Sequence, residues 1–308
     1  MQNAIQIRDL KKTYAAQKKS PAKEALKGIT LDIPQGSIYG LLGPNGAGKS
    51  TIINIMAGLV MKTSGMVQIW DEDLDKRPRN ARSAIGIVPQ EINFDPFFTP
   101  RQILDIQAGL YGVPKAERKT EELLEMVELS DKADAHSRSL SGGMKRRLMV
   151  AKALVHTPPI LVLDEPTAGV DVELRKMLWE NVKRLNRQGM TIVLTTHYLE
   201  EAEELCDHIA IINHGEIVAN EEKETLLARI DNKEIRFRFE NEIKEIPDAL
   251  AKFKAVKEGR RTIAMRYSPN EQGMGDMLSI IQTMDNKITD ISTDDSDLED
   301  VFLQITRN

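Results

Sequence analysis

Apolar and polar residues alternate at residues 4–7 (AIQI) and 29–33 (ITLDI), the period-two pattern of half-buried strands. SIYGLLG, residues 37–43, is more evenly apolar and runs through a glycine-rich turn into TIINIMAGL, whose spacing is helical. GMVQIW and AIGIVPQ predict further strands. From Thr99 to about Arg138 the period becomes helical. Thr99-Pro100 is a cap followed by proline at the first helical position, and ERKTEELLEMVEL predicts a charged amphipathic helix. PILVLDEP and MTIVLTTH are short, almost wholly apolar runs, as in strands buried on both faces. VELRKMLWENVKRLNRQG between them predicts a helix ending at glycine, and YLEEAEELC another. HIAIINHGEIVA predicts a hairpin turning at His214-Gly215.

The pattern changes near residue 223. EIRFRFE and RTIAMRY alternate as strands, DMLSIIQTMD is helical, KITDIST is a candidate strand, and Ser296-Asp297-Leu298-Glu299 reads as a capping box opening a last helix. The expectation is a domain over 1–222, with a helical subdomain at about 92–155, and a small α+β domain over 223–308 compatible with βαββαβ order.

Composition narrows the class. The chain has 308 residues, 41% hydrophobic and 29% charged, which fits a folded globular protein. A net charge of -5 with both signs interspersed gives no ground for a nucleic-acid partner. One cysteine, Cys206, excludes an intramolecular disulfide and fits a reducing compartment. No apolar run reaches membrane-spanning length and no signal region opens the chain, so work at a membrane would need another chain to supply the span.

The chemistry lies in the turns. Gly43, Pro44, Asn45, Gly46, Ala47, Gly48, Lys49, Ser50 and Thr51 match G-x-x-x-x-G-K-[ST], with the strand before and the helix after that a phosphate loop requires. Backbone N–H groups would turn onto phosphate oxygens, Lys49 would reach the β- and γ-phosphates, and Ser50 would ligate Mg²⁺. Asp164 and Glu165 end the buried run ILVLDE. Asp164 is a candidate Mg²⁺ ligand, and Glu165 would orient or deprotonate an attacking water. The Gln90 amide could reach the metal or that water, His197 ends a second buried strand, and Tyr14 could stack on a base. Taken singly, each of these three has an ordinary structural reading. Nothing pairs the other histidines into a metal site.

In this order, Tyr14, GPNGAGKS, Gln90, LSGGM, ILVLDE, AGVD and His197 resemble the ATPase domain of ABC transporters over roughly residues 1–222. The resemblance implies an α/β P-loop NTPase domain with an antiparallel β subdomain and a helical subdomain, followed by the small C-terminal domain. It makes Tyr14 the adenine-stacking aromatic, Gln90 the Q-loop residue, Asp171 part of the D-loop and His197 the switch histidine at the γ-phosphate. LSGGMKRRL, DEPTAGVD and TTHYLEEAEELC are similar to the ABC-2-type exporter branch of drug, polysaccharide and lipid exporters, and LEDVFLQIT to its C-terminal domain. The resemblance thus implies a subunit that binds ATP and Mg²⁺ and pairs with a second copy of itself. It would bind peripherally to an ABC-2-type integral membrane permease at the cytoplasmic face of the inner membrane.

In that family two domains pack head to tail, which answers why the chain carries a second phosphate-ready turn. Ser141 offers a hydroxyl, Gly142 and Gly143 permit close approach, and the following helix end favours negative charge, so these residues would complete the partner's ATP site. Met144 stands where many members have glutamine and cannot make its polar contacts. Lys145, Arg146 and Arg147 read best as solvating the helix, with charge near the partner's phosphates as the other reading. Phe94, Phe97 and Phe98 are either a satellite core or part of a groove for a cytoplasmic helix of the permease. A soluble regulatory or assembly ATPase is the alternative function. Against it, the chain has neither a second ATPase domain nor a coiled-coil insertion.

Overall fold

The computed structural model describes residues 2–16, 21–167, 170, 172–228, 233–267, 274–284, 286–294 and 298–306. It forms two compact units, Met1–Glu222 and Lys223–Asn308. Ser296 and Asp297 lie outside the described residues.

The first unit opens with β1 (Asn3–Tyr14), β2 (Lys23–Pro34) and β3 (Ile38–Leu42), followed by α1 (Lys49–Met56). Next come β4 (Ser64–Ile69), β5 (Glu72–Asp73), α2 (Pro78–Ser83) and β6 (Ile85–Val88). The helical stretch contains α3 (Pro100–Leu110), α4 (Thr120–Met126) and α5 (Gly142–Leu154). The chain then returns through β7 (Ile160–Asp164), α6 (Val172–Arg187), β8 (Thr191–Thr196) and α7 (Leu199–Leu205) to the hairpin β9 (His208–Asn213) and β10 (Glu216–Glu222).

Two sheets organise these elements. β2-β1-β4-β5 is antiparallel, and β10-β9-β3-β8-β7-β6 is parallel except where β10 folds back on β9. Every residue of β3, β7 and β8 is buried, which explains their continuous apolar character. The inner faces of both sheets share one core with α1, including Ile5, Leu31, Ile52, Val67, Val162 and Val193. β1 and β2 extend well past the alternating stretches. Asp9 sits at φ 45 in a bulge that shifts the β1–β2 register between Ile7 and Leu10, so alternation breaks while pairing continues.

Three local features follow from local chemistry. Thr99 caps α3 by a reciprocal capping box with Gln102, and Pro100 occupies the first turn. ERKTEELLEMVEL, which begins on the last residue of a short 3₁₀ turn at Lys115–Glu117, forms only the seven-residue α4 rather than one longer helix. The turn at His214-Gly215 has positive φ at both positions, the geometry of a tight hairpin.

The second unit comprises α8 (Lys223–Ala228), β11 (Lys233–Phe239), a 3₁₀ helix (Asp248–Phe253), β12 (Val256–Glu258), β13 (Thr262–Tyr267), α9 (Met274–Gln282), β14 (Ile288–Asp294) and α10 (Leu298–Thr306). Its antiparallel sheet has the order β12-β13-β11-β14. With the 3₁₀ helix as the first helical element, β11 to β14 follow a βαββαβ path, the split β-α-β arrangement. Phe237, Phe239, Ile263 and Met265 pack with Leu250, Phe253, Met277 and Ile281.

Candidate nucleotide site

Four parallel strands end at one edge of the larger sheet, and their carboxyl ends carry the chemistry. Gly43 follows β3, Gln90 lies two residues past β6, Asp164 closes β7 with Glu165 behind it, and His197 follows β8. Ligands of open α/β sheets bind at this edge.

The glycine loop is shaped by what it must avoid. A Cβ on Gly43 would sit 2.2 Å from the Ile212 carbonyl oxygen, so only glycine lets the loop leave β3 this close to β9. Gly48, at φ 119, is the N-cap of α1, and a Cβ there would meet Leu26 at 2.7 Å. Lys49, 5% exposed, donates through Nζ to the carbonyls of Gly43 at 2.6 Å and Pro44 at 3.3 Å. Burial pulls its pKa down, while Glu165 and Asp164 pull it back up. A buried ammonium facing two carboxylates beside a helix N-terminus is a fitting seat for phosphate.

Asp164 is buried, and its Oδ1 accepts from Thr195 Oγ1 at 2.6 Å. Burial raises its pKa, opposed first by the Thr195 bond. Glu165 sits at φ 48, unusual for a residue with a side chain, and its N–H donates to Thr195 O at 3.0 Å and Thr195 Oγ1 at 3.1 Å. Its Oε2 accepts from Gln90 Nε2 at 3.0 Å and lies 3.3 Å from His197 Nδ1. Adjacent strand residues point to opposite faces. The left-handed turn at Glu165 is what brings its carboxylate into the same site as Asp164.

These groups line an open cleft of about 530 Å³, within the range of small-molecule sites. Tyr14, Asn45 to Thr51, Gln90, Glu165 and His197 all border it, with Lys23 and Ala25, which the motifs did not single out. Gly43 and Pro44, whose carbonyls accept from Lys49, and the buried Asp164 do not border it. Tyr14 is 39% exposed, with Lys12 Nζ 4.7 Å from its ring centroid. Asp171 lies outside the described residues.

Ser141, Gly142 and Gly143 are not among the residues bordering this cleft. Ser141 is the N-cap of α5, its Oγ accepting from Met144 N at 3.2 Å, and space is open beyond Gly142. The basic run behind it corrects the solvated-helix expectation. Arg146 is 4% exposed, its Nη1 donating to the Pro89 and Gln90 carbonyls at 3.0 and 2.8 Å. Arg147 Nη1 donates to Val127 O at 2.9 Å and meets the Glu128 carboxylate at 3.1 Å.

A phosphate loop on one strand, facing an aspartate and a glutamate at the end of a strand two places away, defines a P-loop nucleotide triphosphatase. Residues 26–168 match the ABC transporter family model. A linearmycin resistance ATP-binding protein of Bacillus subtilis is 41% identical over 228 residues, covering 73% of this chain and 71% of the relative. A Nod factor export ATP-binding protein of Burkholderia orbicola is 42% identical over 217 residues, covering 70% of this chain and 69% of the relative. An ATP-binding subunit of an ABC transporter superposes with a TM-score of 0.66 at 28% identity, over 73% of this chain and 92% of the other. A dimeric ATP-binding cassette bound to ADP and Pi, in a post-hydrolysis state, gives a TM-score of 0.63 at 29% identity, over 71% of this chain and 98% of the other. The chain belongs to the ABC transporter ATP-binding proteins, ATPases whose hydrolysis is coupled to transport.

Proposed function

We propose that this chain is the ATP-hydrolysing subunit of an exporter, working as a head-to-tail homodimer on a separate ABC-2-type permease. The observation that carries the dimer is the separation of the two phosphate-ready turns. The cleft is bordered by the P-loop, Gln90, Glu165 and His197, while the Ser141 turn does not border it. A second copy related by a two-fold axis would bring each Ser141 turn to the other's nucleotide, making two complete sites at once. The dimeric cassette among the structural relatives supports dimerisation, and the relatives named for resistance and export support the exporter.

Within each site Lys49 and the loop amides would hold the β- and γ-phosphates, and Tyr14 would stack on the adenine. Glu165 would orient the attacking water, with Gln90 and His197 holding its carboxylate and His197 reaching the γ-phosphate. Mg²⁺, when bound, would neutralise charge developing on the phosphate oxygens. Ser50, Asp164 and Gln90 supply the hard oxygen ligands that Mg²⁺ prefers. Among the described residues no cluster of three or more His, Cys, Asp or Glu could hold a metal by itself, so the nucleotide would complete the shell.

Among the described residues no helix is long and apolar enough to cross a membrane, so the transport path would belong to the permease. Its dock would be the groove of about 380 Å³ bordered by Leu59, Gln107, Tyr111 and Met149. Leu59 after α1, Phe97 before α3 and Leu110 at the end of α3 are exposed. The satellite-core reading fails for Phe97 and Phe98, which are 69% and 40% exposed; Phe94 is half-buried. Peripheral attachment at the cytoplasmic face of the inner membrane follows from this reading.

The test mixes a Lys49→Ala chain with a Ser141→Arg chain. Head-to-tail dimers then carry one site with both defects and one intact site, and ATPase activity rises clearly above the sum of the separate variants. Activity no greater than the sum of the separate variants would remove the shared-site reading.

A further inference from the structure

Arg146 lies five residues beyond Ser141 on α5, a rise of about 7.5 Å. Its guanidinium reaches two segments distant in sequence. Nη1 donates to the carbonyls of Pro89 and Gln90, and Nη2 donates to the carbonyl of Glu165 at 3.3 Å. The side chains of those same segments meet at Glu165 Oε2, where Gln90 donates. Glu165 is the residue held at φ 48, its N–H fixed by Thr195 and its carbonyl by Arg146. A left-handed backbone persists only where its surroundings hold it, and these are the holding bonds. On the neighbouring position, Arg147 fastens α5 to the carbonyl of Val127 at the end of α4. The helix that begins at Ser141 is thus tied to the helical stretch through one arginine and to the hydrolytic groups through the other.

We propose that Arg146 is a positioning residue linking the two ATP sites. It fixes Gln90 and Glu165 of one site relative to the Ser141 turn that the same chain offers to the other site. Occupation of one site then sets the hydrolytic geometry of its neighbour. The proposal rests on the head-to-tail reading above. The physical requirement is modest, because a shift of α5 by about 1 Å would stretch bonds of 2.8 to 3.3 Å past hydrogen-bonding range. A planar fork with several N–H groups suits three carbonyls from two directions, and a lysine ammonium does not reproduce it.

The test uses the full chain with Arg146→Met and Arg146→Lys. Binding of a fluorescent ATP analogue should change by less than about threefold, because the P-loop is untouched, while kcat falls about 10- to 100-fold in Arg146→Met. Arg146→Lys should fall between it and wild type. The Hill coefficient for ATP should exceed 1 in wild type and drop to about 1 in the variants. Without nucleotide, amide hydrogen exchange over residues 90–92 should rise in both variants, a reading independent of turnover. If Arg146→Met does not fold, Arg146→Lys carries the same comparison. Wild-type kcat and Hill coefficient in the variants, or a wild-type Hill coefficient of 1, would overturn the proposal. A Glu165→Gln chain separates this outcome from failure of the dimer reading. If it forms no dimer in saturating Mg-ATP, the head-to-tail arrangement itself is wrong.

Discussion

Gln90 Nε2 donates to Oε2 of Glu165 at 3.0 Å, joining residues 75 positions apart. His197 Nδ1 stands 3.3 Å from the same oxygen, so one carboxylate oxygen is addressed from two strand ends. Removing its charge while keeping its shape should stop hydrolysis and spare the phosphate cradle. Glu165→Gln is expected to bind ATP normally, lower kcat by about 100-fold or more, and accumulate a dimer in Mg-ATP. Size-exclusion chromatography with and without nucleotide, beside single-turnover hydrolysis, reads both effects. Undiminished turnover would show that another group handles the water.

Thr195 is the next determinant, and no motif pointed to it. Its hydroxyl donates to Asp164 and accepts the Glu165 N–H, serving both carboxylate residues at once. Thr195→Val removes the hydroxyl at nearly constant volume and leaves Asp164 short of a partner in a buried site. Stability should fall by about 1–3 kcal/mol, with kcat lowered as well, and Thr195→Ser should restore both. Urea unfolding and ATPase assays on the pair suffice. Equal loss in Thr195→Ser would place the effect in the methyl group instead.

The contrast between these residues shows what a linear sequence can and cannot display. The P-loop, Asp164, Glu165 and His197 were legible because glycine spacing and apolar runs are local patterns that also fix where strands end. The sheet edge was therefore readable before its geometry. Arg146 was not legible, since a basic run on a helix looks solvated and its acceptors lie 57, 56 and 19 residues away. Thr195 and Glu201 were hidden similarly, one within an apolar strand and the other among acidic neighbours in LEEAEEL. Asp9 concealed half of β1 by breaking the alternation at a bulge. Local periodicity reports burial by one neighbour at a time, and these positions are set by several.

Glu201 gives the clearest pH dependence. It is fully buried on α7, its Oε1 accepts from Trp179 Nε1 at 3.1 Å, and burial raises its pKa above the ordinary glutamate range. Below the unfolded-state pKa the carboxyl is protonated in both states and its contribution to stability is fully present. As pH rises, the unfolded chain gives up the proton first, and the contribution is lost through the folded-state pKa. Glu201→Gln, which stays neutral, should therefore gain Tm relative to wild type on going from about pH 5 to about pH 8. Melting curves across that window test this. A Tm difference independent of pH would mean that the carboxyl does not titrate differently in the two states.

The exposed apolar rim yields the last expectation. Leu59 and Met61 are 78% and 86% exposed on the loop after α1, and Leu110, at the end of α3, is 74% exposed. Leu59 borders the groove together with Tyr111, whose ring stacks on His156 at 3.7 Å between centroids. Large apolar side chains on both sides of a groove are costly to leave in water unless a partner covers them. None of them borders the nucleotide cleft, so a charge placed there should act on coupling rather than chemistry. Leu59→Asp and Phe97→Asp should each keep basal ATPase activity and Tm close to wild type. Each should also reduce co-purification with the proposed membrane partner by about tenfold, or 1.4 kcal/mol of docking energy. A variant that loses nucleotide binding would show the rim to be part of the fold of the ATP site, and undiminished co-purification would move the dock elsewhere.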